Sequence, residues 1–470
     1  MSNIKRILSL LLCFIFFSCA VYSQEPTATE IFNETLDITE EYYHFGITKE
    51  QLLQSAVDYL LENNPEMLGV LSKGAYEALD ENSYYLTKEE YLSRLEDVTM
   101  EISGIGAMLQ VQNGKPTITE VIRNSPAIVS GLKAGDVILN VNGIPVFGYA
   151  VEDVVKLVRG PKGTSVNLQI ERNGKILDFK IIRSVITLET VSYKKLEKNN
   201  SGYVKIDSFS NNTYKEFQTA LLRLASAGVD KIILDLRNNP GGYLISAVNI
   251  ANFFVPESKP LVTEDFPGDD VDFTYFSQGD FERFKVVVLV NEYSASASEV
   301  VTGAIKINKA GIVVGTTTFG KGTVQSSHEL PNGDGLWLTV AQYNLPDGTN
   351  IHGTGINPDY FVQNEVVPVN LTQMPNITKE KVLKIGDKTE QVQVIKQYLE
   401  VLGFTFREND DFYDDEMFEA IKLFQGSTGL YPYGVADITT QAKILEMAGQ
   451  ATKTIDNQLE KAKELIYEMR

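Results

Sequence analysis

Ser294, Ser296 and Ser298 fall within VNEYSASASEVV, and Lys321 falls between two glycines in TFGKGTVQ. A serine hydroxyl is a weak nucleophile and needs a base within reach. Lysine serves as that base when burial brings its pKa well below about 10.4, and serine–lysine pairs are a recognised variant of the triad arrangement. Gly320 and Gly322 permit positive φ and a close backbone approach, and Phe319 is the apolar neighbour expected to keep water from the amine. The chemistry on offer is acyl transfer through an activated serine. The same residues also have a structural use, because Ser296 followed by Glu299 is an S-x-x-E capping box.

The flanking pattern says what must hold these groups. Val286 to Val290 is an apolar, β-branched run that predicts a buried strand. Val300, Val301, Ala304, Ile305 and Ile307 have the spacing of one helix face. The three serines therefore sit at a strand-to-helix turn, where the first N–H groups of the helix can stabilise an anion. A second strand, Gly311 to Gly315, leads to Lys321. Upstream, a strand from Tyr203, a helix opened by Thr213 (Phe217, Leu221, Leu222, Leu224) and the strand DKIILDL from Asp230 predict a parallel unit with a right-handed crossover. Arg237-Asn238-Asn239-Pro240-Gly241-Gly242 follows, a turn whose glycine amides can point into a site, before a helix over Ile245 to Phe253.

S-A-S-A-S-E, T-F-G-K-G-T-V-Q and D-L-R-N-N-P-G-G together resemble the serine–lysine carboxyl-terminal processing peptidases, the PDZ-containing tail-specific proteases. The resemblance implies a serine endopeptidase in which Ser296 is the nucleophile, Lys321 the base and Gln325 the support of the lysine. It implies an oxyanion hole made by the amide of Gly242, or alternatively Gly241, with that of Ala297. It implies no metal and no organic cofactor. A Ser-His-Asp triad would have to use His328 or His352, since His44 lies in the helical N-terminal region, and His352 sits in a stretch resembling the family's late core hairpin, where no residue acts as base. Three scattered histidines without H-E-x-x-H make a poor zinc set. The rival from another class is a catalytically silent PDZ scaffold at the cell wall, against which the intact Ser296, Lys321 and Gln325 speak.

Four further modules are expected around the core at residues 186–365. Residues 102–185 resemble a PDZ domain through SGIGA from Ser103, Ser125-Pro126-Ala127, GLKAGD from Gly131, Val141-Asn142-Gly143 and RGPKGT from Arg159. Such domains add an extended peptide to a strand edge and receive its carboxylate on loop amides, here those of Ile105, Gly106 and Ala107, with Met108 and Leu157 lining the pocket. Protein substrates bound by their C-termini are the implied partners, with Arg159 as a relay between this domain and the core. Residues 24–101 read as an acidic helical arm, with a capping box at Thr87 and Glu90. Residues 366–380 read as a linker. Residues 381–449 resemble the three-helix peptidoglycan-binding domain, with its D-G-x-F-G loop altered to Asn409-Asp410-Asp411-Phe412-Tyr413-Asp414, so peptidoglycan is a second expected partner. Residues 450–470 carry a stripe (Ile455, Leu459, Ala462, Ile466) on a charged helix, expected to pack on the arm and to join a homodimer through the terminal helices.

The fold class expected from all this is multidomain α+β: a helical arm, a β-rich PDZ domain, an α/β peptidase core and a small all-α C-terminal domain. At 470 residues the chain has room for several domains. A formal net charge of −20 excludes the basic footprint that nucleic acid requires. Residues 1–23 have the charged start and short apolar core of an export signal, cut after Ala20 or Ser23. An uncleaved anchor and lipidation at Cys19 are the alternatives. Cys13 and Cys19 are the only cysteines, so the mature chain is expected to rely on its apolar cores rather than on disulfides.

Overall fold

The structure, a computed structural model, describes residues 27–112, 114–268, 271–279 and 284–469. The expected export signal lies outside the described residues. The chain forms two compact units, one holding the residues up to 91 with 327–338, the other holding 92–326 with 339 onward.

In the first unit, helices α1 (Ala28–Tyr42) and α2 (Lys49–Asn63) each open on a capping box, Thr27 with Glu30 and Thr48 with Gln51. A 3-10 turn at Pro65–Met67 feeds α3 (Leu68–Tyr76). Strand β1 (Tyr84–Leu86) pairs antiparallel with residues 335–337, and the Tyr85 hydroxyl donates to Asp334. Helix α4 (Lys88–Thr99) begins here and has its residues from 92 on in the second unit; Glu90 accepts the Thr87 N–H at 2.9 Å as the capping box requires.

In the second unit, β2 (Glu101–Gly104) and β9 (Ser184–Thr187) pair antiparallel where the chain enters and leaves a sheet of order β3-β4-β5-β7-β8. Its strands are β3 (Ala107–Gln112), β4 (Lys115–Val121), β5 (Val137–Val141), β7 (Ser165–Arg172) and β8 (Lys175–Ile182), with the short β6 (Ile144–Pro145) on β5. Helices α5 (Pro126–Ser130) and α6 (Val151–Val158) cover it. Ile118, Ile138, Val141, Val154, Val166 and Ile170 are fully or almost fully buried between them.

The core sheet runs β10-β11-β12-β15-β16-β19. β10 (Val191–Lys195) is antiparallel to β11 (Ser201–Ile206); β12 (Lys231–Asp235), β15 (Lys285–Val290), β16 (Gly311–Gly315) and β19 (Tyr360–Phe361) continue in parallel. Helices α7 (Thr213–Ser226), α8 (Leu244–Ala251) and α9 (Ala297–Ile307) supply the expected crossovers. The alternation along β15 divides the two faces. Val286, Val288 and Val290 pack with Phe217, Leu221, Ala247, Val300 and Val301. Val287 and Leu289 point the other way. A strand buried on both faces reads as a continuous apolar run, which is why VVVLV shows no polar alternation. Strands β13 (Pro260–Asp265), β14 (Phe273–Phe276), β17 (Thr323–Glu329) and β18 (Gly335–Asn344) form a second sheet beside the core.

The expected linker begins as a strand. β20 (Glu365–Pro368) pairs antiparallel with β21 (Thr452–Ile455), and Val369 N–H donates to the Ala451 carbonyl. This clasp closes off an insert of three helices, α10 (Glu390–Val401), α11 (Asp415–Ser427) and α12 (Ile438–Gln450), with its own core of Val392, Ile395, Tyr398, Met417, Ile421 and Ile444. The last helix, α13 (Asn457–Glu468), corrects an expectation. Its Ala462, Leu465 and Ile466 are buried against Ile233, Val287, Leu289 and Val314 on the second face of the core sheet. The apolar stripe expected to pack on the N-terminal arm is used there, because the sheet face it covers is otherwise a bare apolar surface.

Candidate active site

Ser296 is the residue on which β15 hands over to α9. Its backbone stands at φ 55°, ψ −116°, a region L-residues rarely occupy. A sharp, strained strand-to-helix turn is what exposes the hydroxyl of a nucleophilic serine in other hydrolases. The two neighbouring serines are occupied: Ser294 donates its hydroxyl to the Leu236 carbonyl (2.8 Å) and Ser298 to the Asn239 carbonyl (2.9 Å). Both are fully buried, whereas Ser296 is partly exposed.

Glu299 joins the serine turn to the lysine loop. Its Oε2 accepts the N–H of Ser296 and the N–H of Lys321, each at 2.9 Å. Its Oε1 accepts the Thr318 hydroxyl (2.5 Å) and the Gly320 N–H (2.7 Å). Burial pushes the carboxyl above the ordinary carboxylate range, and the hydrogen bonds from Thr318, Lys321, Gly320 and Ser296 pull against that shift. Tyr343, buried on β18, repeats the bridge: its hydroxyl donates to the Ser296 carbonyl (3.2 Å) and its N–H to the Gly322 carbonyl (3.0 Å). The capping box legible in S-x-x-E is therefore half of what Glu299 does. Its second partner lies 22 residues on, and no local spacing announces it.

The glycines beside Lys321 are required by close packing. A Cβ on Gly320 would lie 2.7 Å from the Gly355 nitrogen, and one on Gly322 2.9 Å from the His352 nitrogen. Phe319 itself is 59% exposed, while Lys321 is half-buried. Gln325 lies on strand β17. Its Nε2 donates to Thr323 Oγ1 (2.9 Å) and Thr339 Oγ1 (3.1 Å), which leaves Oε1 to accept. His328 and His352 are exposed.

The Pro-Gly-Gly turn lies against Ser296. A Cβ on Gly241 would be 2.8 Å from the Ser296 Cβ and 3.0 Å from the Ala297 nitrogen. Asn239, fully buried, sets the turn: its Oδ1 accepts the Gly241 N–H (2.9 Å), its Nδ2 donates to the Ile206 carbonyl (2.8 Å), and its own carbonyl accepts the Ala295 N–H (3.0 Å). The Gly241 N–H is thus engaged. Among the described residues, the N–H groups of Gly242 and Ala297 donate to no protein acceptor. An oxyanion hole is built from such unengaged N–H donors.

In the β-rich module, β3 is an edge strand, with Met108 half-exposed on it and Leu157 on α6 partly buried. Gly106 has φ +80°, and a Cβ there would strike Ser125. The Ile105 side chain is buried in the module's core and its carbonyl accepts the Ala127 N–H, while Ala107 opens the edge strand. Arg159 pairs with Glu96 on α4 at 2.9 Å. A second arginine, Arg183, lies outside the motifs that mark this module in the sequence. It is buried where β8 gives way to β9 and donates to the carbonyls of Val158 (2.7 Å) and Leu157 (3.3 Å) at the end of α6.

Comparison with known proteins gives the family and its domains. Peptidase family S41 matches residues 200–362, a PDZ domain residues 117–172, and a peptidoglycan binding domain residues 388–444. A CtpA-like serine protease of Staphylococcus haemolyticus is 37% identical over 418 residues, covering 86% of this chain and 82% of the relative. One from Staphylococcus aureus MRSA252 is 36% identical over 412 residues, covering 86% and 81%. Among solved structures, a photosystem II D1 C-terminal processing protease is 27% identical and covers 72% of this chain and 94% of its own, with a TM-score of 0.40. The chain belongs to peptidase family S41, among the CtpA-like carboxyl-terminal processing serine peptidases, and carries a PDZ domain and a C-terminal peptidoglycan-binding domain.

Proposed function

We propose that the protein is an exported endopeptidase that captures protein C-termini on its PDZ domain and cuts them by acyl transfer through Ser296. The observation that carries this reading is the joining of the Ser296 and Lys321 backbones through Glu299; the Gly242 and Ala297 N–H groups, which donate to no protein acceptor among the described residues, support it. Ser296 Oγ attacks the scissile carbonyl. Lys321 takes the hydroxyl proton and returns it to the leaving amine. The Gly242 and Ala297 N–H groups hold the oxyanion, and of the two glycines Gly242 is the donor because Asn239 already holds Gly241. Water then hydrolyses the acyl-enzyme along the same path in reverse. Gln325, its amide fixed by two threonines, offers Oε1 to orient the lysine.

Substrate capture rests on the free edge of β3, where an extended C-terminus adds as a strand and the amides of Ile105, Gly106 and Ala107 receive its carboxylate. The peptidoglycan-binding domain supports association with the cell envelope, and processing or degradation of envelope or secreted proteins, including signalling proteins, is the task that follows. No helix among the described residues is long and apolar enough to cross a membrane. For a homodimer, the support is the exposed Ile31, Phe32, Ile38 and Tyr42 on α1; the C-terminal helix has spent its apolar face on the core.

The test is cleavage of an unstructured polypeptide with an apolar C-terminus, comparing the parent with Ser296→Ala and Lys321→Ala. Each variant should lose at least about a thousandfold in kcat while keeping its circular dichroism. Equal turnover in all three would sink the dyad.

A further inference from the structure

The turn that supplies the Gly242 amide is tethered on both sides. On the inner side it meets the nucleophile's turn: Asn238 and Asn291 exchange hydrogen bonds at 2.9 and 2.8 Å, and the Asn239 carbonyl accepts from Ala295 and Ser298. On the outer side it is held by Arg237, the first residue after β12 and Leu236. This guanidinium is 12% exposed and lies between two carboxylates. Asp235 takes Nε and Nη2 at 2.7–3.1 Å. The other carboxylate is 219 residues away in sequence. Asp456 receives Nη1 on Oδ1 at 2.6 Å and Nη2 on Oδ2 at 3.0 Å, a bidentate pair that fixes angle as well as distance. Gln458 adds its Oε1 to Nη1 at 3.2 Å.

Asp456 is itself rigidly placed. It follows β21, half of the clasp that closes the peptidoglycan-binding insert, and it caps α13 by accepting the Leu459 N–H at 3.0 Å. Behind it α13 is buried on the core sheet. We propose that Asp456 is a positioning residue for the peptidase: through Arg237 it holds the turn that presents the Gly242 amide to the oxyanion, so the segment beyond the insert is a working part of the catalytic core. This rests on the assignment of Gly242 and Ser296 given above. The alternative is that Asp456 only caps α13.

Asp456→Asn separates the two, because asparagine caps a helix as well as aspartate but turns an amide group or a neutral oxygen toward the guanidinium. On the purified protein, kcat on an unstructured polypeptide should fall about ten- to a hundredfold, with KM held within about twofold, as expected for a misplaced oxyanion donor. Affinity for a peptide boronate, which mimics the tetrahedral oxyanion, should fall by the same factor. Hydrogen exchange across residues 237–242 should quicken, and Asp456→Glu should recover part of kcat. Unchanged exchange, kcat and boronate affinity in Asp456→Asn would overturn the proposal, as would a loss that merely follows the unfolded fraction. Faster exchange with unchanged kcat would mean that the tether exists but Gly242 is not the oxyanion donor. Failure of the Ser296 reading would show separately, as turnover surviving Ser296→Ala.

Discussion

Ser296 and Lys321 donate their backbone N–H groups to one oxygen of Glu299, each at 2.9 Å, so their amide nitrogens are at most twice that length apart. Two segments that meet nowhere along the chain are thereby locked to one another at the level of backbone. A side-chain dyad needs such a lock, because a displacement of about 1 Å can cost a hundredfold in rate.

Glu299→Gln tests the lock. Glutamine keeps one oxygen but turns an NH2 group toward N–H donors. The variant should lose about 2–3 kcal/mol of stability, the range of a hydrogen bond to a charged group plus an unmet donor, and its kcat should fall while PDZ peptide affinity holds. Chemical denaturation and steady-state kinetics read the two effects. An active, fully stable Glu299→Gln would mean that the bridge holds nothing in place.

Tyr343→Phe removes only the hydroxyl bond to the Ser296 carbonyl. A loss of about 1 kcal/mol in stability is expected, with a smaller fall in kcat than Glu299→Gln shows. Comparison of the two variants in one assay ranks the bridges.

Gly242→Ala should abolish activity and destabilise more than a surface change does. Its φ is +139°, and an added Cβ would come within 2.2 Å of the Phe209 carbonyl oxygen, so the backbone must move. The melting temperature and labelling of Ser296 by a fluorophosphonate should both fall.

Asp456 gives a pH signature. Burial alone would raise its carboxyl; the Arg237 guanidinium and the Leu459 N–H outweigh that and hold it below the ordinary aspartate value. A depressed folded-state pKa contributes stability that is present above the unfolded value of about 3.9 and is lost as pH falls through the folded value. The melting temperature of the parent should therefore exceed that of Asp456→Asn near neutral pH, and the gap should close as the pH drops below about 4. A gap independent of pH would show that the ion pair is not its source.

The second layer on the core sheet yields a packing prediction. Ile466 is fully buried against that face, and Ile466→Ala should cost about 2–5 kcal/mol by removing buried carbons and leaving a cavity. Thermal unfolding monitored by calorimetry would read it.

Much of the architecture was written locally. The strand over Val286 to Val290, the helix face of Val300, Val301, Ala304 and Ile305 and the serine turn all rest on periodicity and turn chemistry, which act over a few residues. The choice of Ser296 and Lys321 as chemistry is what the family resemblance of their motifs implies, and the glycines that let backbone come close belong to those motifs. What only the tertiary structure decided is long-range pairing. VVVLV announces a strand with both faces covered, but not that α13 covers the second face. S-x-x-E announces a cap, but not that its carboxylate also takes the Lys321 amide. D-L-R-N-N-P-G-G offers two glycine amides, and only the buried Asn239 side chain, by binding that of Gly241, leaves that of Gly242 without a protein acceptor among the described residues. In each case the partner comes from a distant segment, and local spacing carries no record of which segments the folded chain will bring together.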